Sequence, residues 1–479
     1  MKRGFKLIYV LVFFALLCIP AFLMPFFKND ASLEKRSLTK FPAYLSEGRL
    51  NLQFSDQFES WLNDHLPLRS QLLTFSNRIS GELLRGQTSN VIVGKRGWLF
   101  FASEVADYMD TNPMSETQLR ALAVTLSLLQ EQTERCGGSF TFVAMPNKSS
   151  VYGEYMPDRC RASSERNLTR LQALLPEYGV RYTDMLALLT GAKDEGVYHR
   201  RDSHWNYRGA LLGADAILDS LGRAHEDHAG LSFSVERSWR GDLDKLLLPA
   251  GGTMDEQIVY DADHAAFTFK QPQGVKDPRE QLEIFMSDRE ERDMLFVTKN
   301  SELTDGSSLF MARDSFGRAL LPWMIDAYET ATFRRTGSPD LRNLAAGTDV
   351  VFEIAERNLA GIIRKAPFLY APEREGMSAA GLPEGEALSV TVEESGYLHL
   401  CGALPEDAEP GDGRVYLLLT GQGRELCLEA FPIYESDVLG EGGEKGFSAY
   451  LSQELGLSGS FALTVVAGGI AYPGGNLDF

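Results

Sequence analysis

Two short stretches hold residue types that together can do acyl chemistry: His199-Arg200-Arg201-Asp202-Ser203-His204-Trp205-Asn206 and Arg313-Asp314-Ser315-Phe316-Gly317. A serine hydroxyl is a weak nucleophile until a neighbouring base takes its proton, and that base needs an acceptor to fix its tautomer. Ser315 follows a compact apolar run at 307–312 and precedes a helical pattern running toward Glu329, so it stands at a strand-to-helix turn. Backbone N–H groups at such a turn can meet a developing oxyanion. Asp202 and His204 are two residues apart, which in an extended segment turns both side chains to one side. This makes Ser315 a candidate nucleophile, His204 its base and Asp202 the orienting carboxylate. Each motif alone is common, and a serine after a strand is usually only a helix cap. The joint placement carries the reading.

The elements that must position these residues alternate. A strand at 139–145 ends at Pro146-Asn147-Lys148, a helix near 165–175 leads to a second strand around 180–182, and a helix from about Asn206 carries Ala210, Ala214, Ile217 and Leu221 on one stripe. Strands at 307–312 and 349–355 follow, the latter ending at Glu356-Arg357-Asn358. Such alternation predicts an α/β fold with a mostly parallel sheet covered by helices on both faces and ligands at the carboxyl ends of the strands. Upstream, Ser115 and Gln118 fit a capping box before a helix that carries Leu119, Leu122, Leu126 and Leu129 and stops near Gly137-Gly138. Residues 54–84 read as a helical lead-in, with Phe54, Phe58, Trp61 and Leu62 at helical spacing. Past residue 371 short β-rich runs separated by Gly, Pro and acidic clusters predict a β-sandwich.

The bulk numbers fit this division. A chain of 479 residues is too long for one ordinary core, and 44% hydrophobic with 24% charged residues is a globular composition. We divide it into a cytoplasmic N-terminus and transmembrane anchor at 1–28, a helical lead-in at 29–90, a catalytic α/β domain at 91–370 and a β-sandwich at 371–479. A net charge of -19 argues against nucleic acid as a partner. Lys2, Arg3 and Lys6 precede an apolar run at 7–27, long enough to cross a membrane as a helix, with the positive end inside and everything after Lys28 outside the cytoplasm. The far end has no Ala-x-Ala pattern of a cleaved signal. The outer cysteines fall into two local sets, Cys136 with Cys160 and Cys401 with Cys427, and disulfides persist in that compartment. No Cys-x-x-Cys occurs, and His225, His228 and His264 have no paired spacing that marks a metal site, so neither a metal nor a cofactor is expected.

The sequence resembles the SGNH-like acyltransferases of exopolysaccharide systems, the group that includes the alginate O-acetylation proteins and the DHHW proteins. The resemblance covers residues 41–359 and rests on Asp64-His65-Leu66-Pro67-Leu68-Arg69, the 94–100 segment, Pro146-Asn147-Lys148, Asp202-Ser203-His204-Trp205, Asp314-Ser315-Phe316-Gly317 and Glu356-Arg357, in the family's order. Asp and His precede Ser, a permuted order relative to ordinary SGNH esterases. Arg313 stands where those enzymes have the Gly of Gly-Asp-Ser, and Ser203 replaces the middle His of the name-giving motif. The resemblance implies an extracytoplasmic O-acetyltransferase with Ser315, His204 and Asp202 in the roles given above, and a multi-span membrane acyltransferase that supplies acetyl groups to be passed to a polysaccharide. If water resolves the acetyl-enzyme the protein is an acetylesterase, and a non-catalytic polysaccharide-binding scaffold is the alternative of another class.

Asn147 is a candidate side-chain oxyanion donor beside the Ser315 backbone N–H, or else a turn residue. Lys148, Arg313 and Arg357 are candidates for holding an acidic or hydroxyl-rich glycan. For Arg357 a structural role with Glu356 or a nearby strand end is favoured. Trp205 and Trp323 are candidates for stacking on sugar rings, although tryptophan beside a helix start usually packs. His65 is read as capping or packing.

Overall fold

The computed structural model of the chain describes residues 39–46, 49–79, 90–228, 230–260, 267–271, 294–394, 397–406, 408, 411–439 and 443–479, with scattered positions between 8 and 26. The 7–27 stretch, the 80–84 end of the helical lead-in and His264 therefore lie wholly or largely outside the described residues. Among the described residues no helix is long and apolar enough to cross a membrane. The lead-in is two helices, α1 (Phe54–His65) and α2 (Arg69–Asn77). The break falls at Leu66-Pro67-Leu68, since proline disfavours helix in the residue before it. Rings on α1 stack from Phe54 through Phe58 and Trp61 to His65.

A hairpin of β1 (Val91–Val93) and β2 (Leu99–Phe101) and the short helix α3 (Glu104–Met109) open the next unit. Helix α4 (Glu116–Arg135) starts at the Ser115–Gln118 capping box, buries Leu119, Leu122, Leu126 and Leu129, and ends before Gly137-Gly138. Strand β3 (Phe140–Met145) is buried along its whole length. It is followed by α5 (Lys148–Val151), α6 (Asn167–Leu174), α7 (Met185–Gly191) and α8 (Tyr207–Leu221). The 180–182 run, expected as a strand, makes a single parallel bridge, Phe142 to Tyr182. A second hairpin, β4 (Phe233–Trp239) and β5 (Asp255–Tyr260), carries α9 (Asp242–Leu247) in its connection. Then come β6 (Phe267–Gln271), β7 (Leu295–Asn300), β8 (Ser308–Arg313), α10 (Leu321–Asp326), β9 (Thr330–Arg335) and β10 (Thr348–Ala355).

The central sheet runs β3-β10-β8-β9-β7-β6. Its first three pairings are parallel, but β9 with β7 and β7 with β6 are antiparallel. The expected parallel sheet is thus a mixed one. Too short a connection separates β7 from β8 for a parallel crossover, which needs a dozen or more residues, so β7 joins antiparallel at β9 instead. Alternate side chains of β3 serve two cores: Val143 and Met145 pack with Leu211 and Ile217, whereas Phe140, Phe142 and Ala144 pack with Leu122 and Leu126. The carboxyl ends of β8 and β10 carry Ser315 and Glu356-Arg357 just beyond them.

The C-terminal strands are β11 (Val390–Glu394), β12 (Leu398–Ala403), β13 (Val415–Gly421), β14 (Arg424–Tyr434), β15 (Lys445–Leu451), β16 (Ser460–Ala467) and β17 (Ile470–Asp478). They form one antiparallel sheet, β11-β12-β15-β14-β13-β16-β17, rather than the two sheets of a sandwich. The long β14 is the reason: its first part pairs with β13 and its end, from Phe431, pairs with β15. Leu400, Leu417, Leu428, Phe447 and Val465 fill the core inside. Phe431 and Ile433 pack on Val124 and Leu128 of α4, and Arg374 joins Glu131 of α4 to Glu429 at 2.5 and 2.6 Å. All five cysteines are free. Cys401 on β12 and Cys427 on β14 have β15 between their strands, so that pair cannot close. Cys136 ends α4, whereas Cys160 packs beside the opposite core.

Candidate active site

Asp202 and His204 sit on the segment that runs into α8, whose first N–H groups are capped by the Asn206 side chain. Val197 accepts the Asn206 N–H, and Tyr198 and Trp205 form a bridge, so the 198–205 segment is a closed loop. At its centre the Lys148 ammonium, fully buried, donates to the carbonyls of His199, Arg200 and Asp202 at 3.2, 3.2 and 2.5 Å. Burial pulls the pKa of Lys148 down to about 8, with Glu104 the largest opposing charge.

Ser315 lies past the end of β8 on a turn held from below by Glu353 of β10. One carboxylate oxygen of Glu353 accepts the N–H of Asp314 and of Gly317 at 3.0 and 3.1 Å. A Cβ on Gly317 would stand 2.7 Å from that carboxylate and 2.8 Å from the Arg313 Cβ, so only glycine fits. Asp314 accepts the Phe316 N–H through Oδ1 and the Ala355 N–H through Oδ2, which ties the turn to the end of β10. Three of the four N–H groups from 314 to 317 are thereby used. Among the described residues that of Ser315 has no partner, which leaves it available to an oxyanion.

The loop and the turn meet. His204 Nε2 is 2.9 Å from Ser315 Oγ, and His204 Nδ1 is 2.7 Å from Asp202 Oδ1. With the proton on Nδ1 the imidazole donates to Asp202 and accepts from the serine hydroxyl. The other oxygen of Asp202 accepts the Trp239 indole N–H at 3.0 Å and the Asp242 backbone N–H at 2.9 Å. Ser203 donates its hydroxyl to Asp242 at 2.6 Å, and Asp242 itself lies 3.6 Å from His204 Nδ1. Asp202, His204 and Asp242 form a group by composition able to hold a cation. Here the Asp202 and Asp242 carboxylates are engaged by N–H and O–H donors, an arrangement that fixes an imidazole.

The electrostatics follow from burial and neighbours. Burial opposes the charge of Asp202, but the hydrogen bond and charge of His204 outweigh it and hold the carboxyl well below its usual range. Burial likewise lowers His204, and the hydrogen bond and charge of Asp202, with Asp242 behind, reverse this to a net rise, while Arg357 pulls the other way. Burial and then the charge of Asp314 push Glu353 well above the usual carboxyl range.

Of the candidate substrate contacts, several turn inward. Lys148 is enclosed as described. Arg313 is fully buried at the end of β8, with its guanidinium donating to the Asp314 carbonyl and lying over Phe296. Trp205 is 2% exposed and donates its indole N–H to the Phe316 carbonyl at 3.1 Å, joining the 198–205 loop to the Ser315 turn. Trp323 packs against His228 and Tyr260. Lys148, Arg313 and Trp205 thus support the loop and turn of the site from within. Asn147 is buried too: its backbone N–H donates to Glu356 and its side-chain amide to Asp107 at 3.3 Å. Glu356 is not the partner of Arg357. It takes the Ser150 hydroxyl at 2.6 Å and faces Arg166 at 3.9 Å. Arg357 instead lies over the rings of Phe101 and Phe316, 5.5 and 5.3 Å from their centroids. It lines a cleft of about 570 Å³ together with Asp107, Asp314 and Asn358. Trp239, Asp242 and Glu353 had no part in the sequence reading. An acid inside the apolar run of β10 was the one signal for Glu353, since a buried charge demands partners.

Residues 91–282 match the family described as ALGX, SGNH hydrolase-like domain, acetyltransferase AlgX. This stretch contains Asp202 and His204, and Ser315 lies beyond it. Over 234 residues the chain is 26% identical to the probable alginate O-acetylase AlgJ of Pseudomonas aeruginosa, covering 47% of this chain and 57% of that protein. Over 135 residues it is 27% identical to the probable alginate O-acetylase AlgJ of Pseudomonas putida, covering 28% and 34%. The chain thus spans at most 57% of the length of these two relatives. Similar solved structures include a DHHW family protein from Eubacterium siraeum, with a TM-score of 0.43, 18% identity and coverage of 59% of this chain and 97% of that one. The O-acetyltransferase domain of Pseudomonas putida AlgJ gives a TM-score of 0.37, 18% identity and coverage of 57% and 92%. By these comparisons the chain is similar to the SGNH-like acetyltransferases of alginate O-acetylation, through a domain matched over residues 91–282.

Proposed function

We propose that this protein is an extracytoplasmic O-acetyltransferase that passes acetyl groups to a polysaccharide through an acetyl-enzyme on Ser315. The reading rests on one observation, the continuous line from Asp202 through His204 to the Ser315 hydroxyl. His204 Nε2 takes the hydroxyl proton as Oγ attacks the acetyl carbonyl, and the Ser315 N–H receives the oxyanion. The imidazolium, held by Asp202, returns its proton to the leaving group. A sugar hydroxyl deprotonated by the same nitrogen then attacks the acetyl-serine and regenerates the enzyme. The cleft beside Arg357 is the place for an acidic or hydroxyl-rich acceptor.

The apolar stretch 7–27, with Lys2, Arg3 and Lys6 before it, anchors the protein with this site outside the cytoplasm. Acetyl groups activated inside must then cross, so a multi-span membrane acyltransferase is the donor partner. Water in place of the sugar would make the protein an acetylesterase.

The test is turnover of a chromogenic acetyl ester. The wild-type chain should release chromophore and gain the mass of one acetyl group on Ser315, and Ser315→Ala should do neither. Equal rates in the two would leave only a polysaccharide-binding scaffold. Addition of an oligosaccharide acceptor separates the remaining readings, since only a transferase gives acetylated sugar.

A further inference from the structure

Away from the serine site, Asp215 and His225 and His228 converge. The residues come from the last turns of α8 and the segment that follows Gly222 and leads into β4. His228 Nδ1 lies 2.7 Å from Asp215 Oδ1, and His225 Nδ1 lies 3.5 Å from the same oxygen. The three side chains keep only 12 to 15% of their surface exposed, and the two imidazoles lie nearly parallel, 6.2 Å apart. Ligand atoms of all three stand within 4.8 Å of one another.

The hydrogen-bond accounting is what marks this cluster. His225 Nδ1 faces the Glu226 carbonyl at 2.7 Å, and its Nε2 faces Asp219 Oδ1 at 3.2 Å. Both ring nitrogens therefore look at oxygen acceptors, and a neutral imidazole has a single N–H to offer. One lone pair is left pointing at oxygens unless the ring takes a second proton or a cation stands between them. Asp219, one turn after Asp215 on the same helix face, is placed to take the Nε2–H, which leaves Nδ1 for that charge. A carboxylate that holds the far nitrogen of a ligating histidine is the usual outer partner of a metal site.

We propose that Asp215, His225 and His228 form a binding site for a divalent transition metal, zinc being the best match to two imidazoles and one carboxylate. The ligands are His225 Nδ1, His228 Nδ1 and Asp215 Oδ1, with the Glu226 carbonyl beside them as a further oxygen. Tetrahedral zinc sets its ligand atoms about 3.3 Å apart. The two separations from Asp215 Oδ1, 2.7 and 3.5 Å, lie on either side of that value. The site is structural. It ties the segment entering β4 to α8, and β4 carries the Trp239 that supports Asp202, while α8 starts just after His204.

The test uses the full chain purified in detergent, stripped with a chelator and titrated with zinc sulfate against a chromogenic zinc indicator, with metal analysis of the dialysed product. The wild type should hold one zinc per chain. The double variant His225→Ala/His228→Ala should lose it, and Asp219→Asn, which leaves all three ligands in place, should weaken it about 10- to 100-fold. His204→Ala should bind like wild type, because it alters only the other candidate group. Absence of stoichiometric zinc in the wild type, equal binding by the double variant, or loss in His204→Ala would overturn the proposal. Should the double variant not fold, cobalt(II) bound to the wild-type chain decides: a visible absorption band titrated away by one equivalent of zinc supports the site, and no band overturns it.

Discussion

The indole N–H of Trp239 donates to Asp202 Oδ2 at 3.0 Å across 37 residues of chain, with the Trp239 ring stacked on His199 at 4.9 Å and 9°. The carboxylate bonded to His204 is thus held by a hairpin well outside the motif that contains it. Trp239→Phe keeps an aromatic ring beside His199, although a smaller one, and removes the N–H. A hydrogen bond to a charged group contributes about 1.5–3 kcal/mol, so kcat/KM on an acetyl ester should fall roughly 10- to 100-fold with little change in KM. A substrate-binding role for Trp239 would raise KM instead.

Asp202→Asn should cost more. The amide can present its N–H to His204 Nδ1, which forces the ring proton onto Nε2, the nitrogen that must accept from Ser315. By analogy with the serine-protease triad, kcat should fall by about 10⁴ while the fold persists. A normal circular-dichroism spectrum with near-normal activity would show that His204 needs no fixed tautomer.

How far the sequence could be read depends on the range of the forces involved. Asp202, His204 and Ser315 were legible because a two-residue spacing and a strand-to-helix turn are local facts. Lys148 was not, because Pro146-Asn147-Lys148 after a strand reads as a surface turn; only the return of the chain at 199–202, a distant event, encloses the ammonium. Asp242 was hidden for the same reason, as its contact with Ser203 spans 39 residues. The sheet interior was legible from its apolar runs, whereas β7 was missed because its burial alternates along the strand, as expected in an antiparallel part of a sheet with one face covered. The two-sheet reading of the C-terminal unit failed on β14, whose length lets one strand serve both halves.

The pH profile follows from the His204 environment. Asp202 and Asp242 outweigh burial and raise its pKa above 6.5, and the base acts only when neutral. The acidic limb of kcat/KM should therefore have its midpoint above pH 6.5, with activity rising as pH rises through it. Asp242→Asn removes a charge that favours the imidazolium and should move the limb to lower pH. Arg357→Gln removes a charge that opposes it and should move the limb to higher pH. Shifts of the same sign in both variants would contradict the electrostatic account.

Glu353 offers a sharper separation of structure from charge. Its side chain is buried, burial raises its pKa, and one oxygen accepts the N–H groups of Asp314 and Gly317 that shape the Ser315 turn. Glu353→Gln retains a carbonyl oxygen for both donors, so activity should stay within a few-fold of wild type. Glu353→Ala leaves two buried N–H groups unpaired at about 1–3 kcal/mol each, and both melting temperature and kcat should drop. The pH dependence of stability distinguishes the two acid states. Between 4.5, where the unfolded chain loses this proton, and the raised folded value, the native state holds a proton that the unfolded state has lost. Stability from this group therefore declines as pH rises through that window. Glu353→Gln has no proton to lose, so its melting temperature should fall less than that of wild type as pH rises above 4.5, measured by thermal denaturation. Parallel curves for the two proteins would mean that Glu353 is charged beneath the nucleophile turn and that the turn is held by an anion.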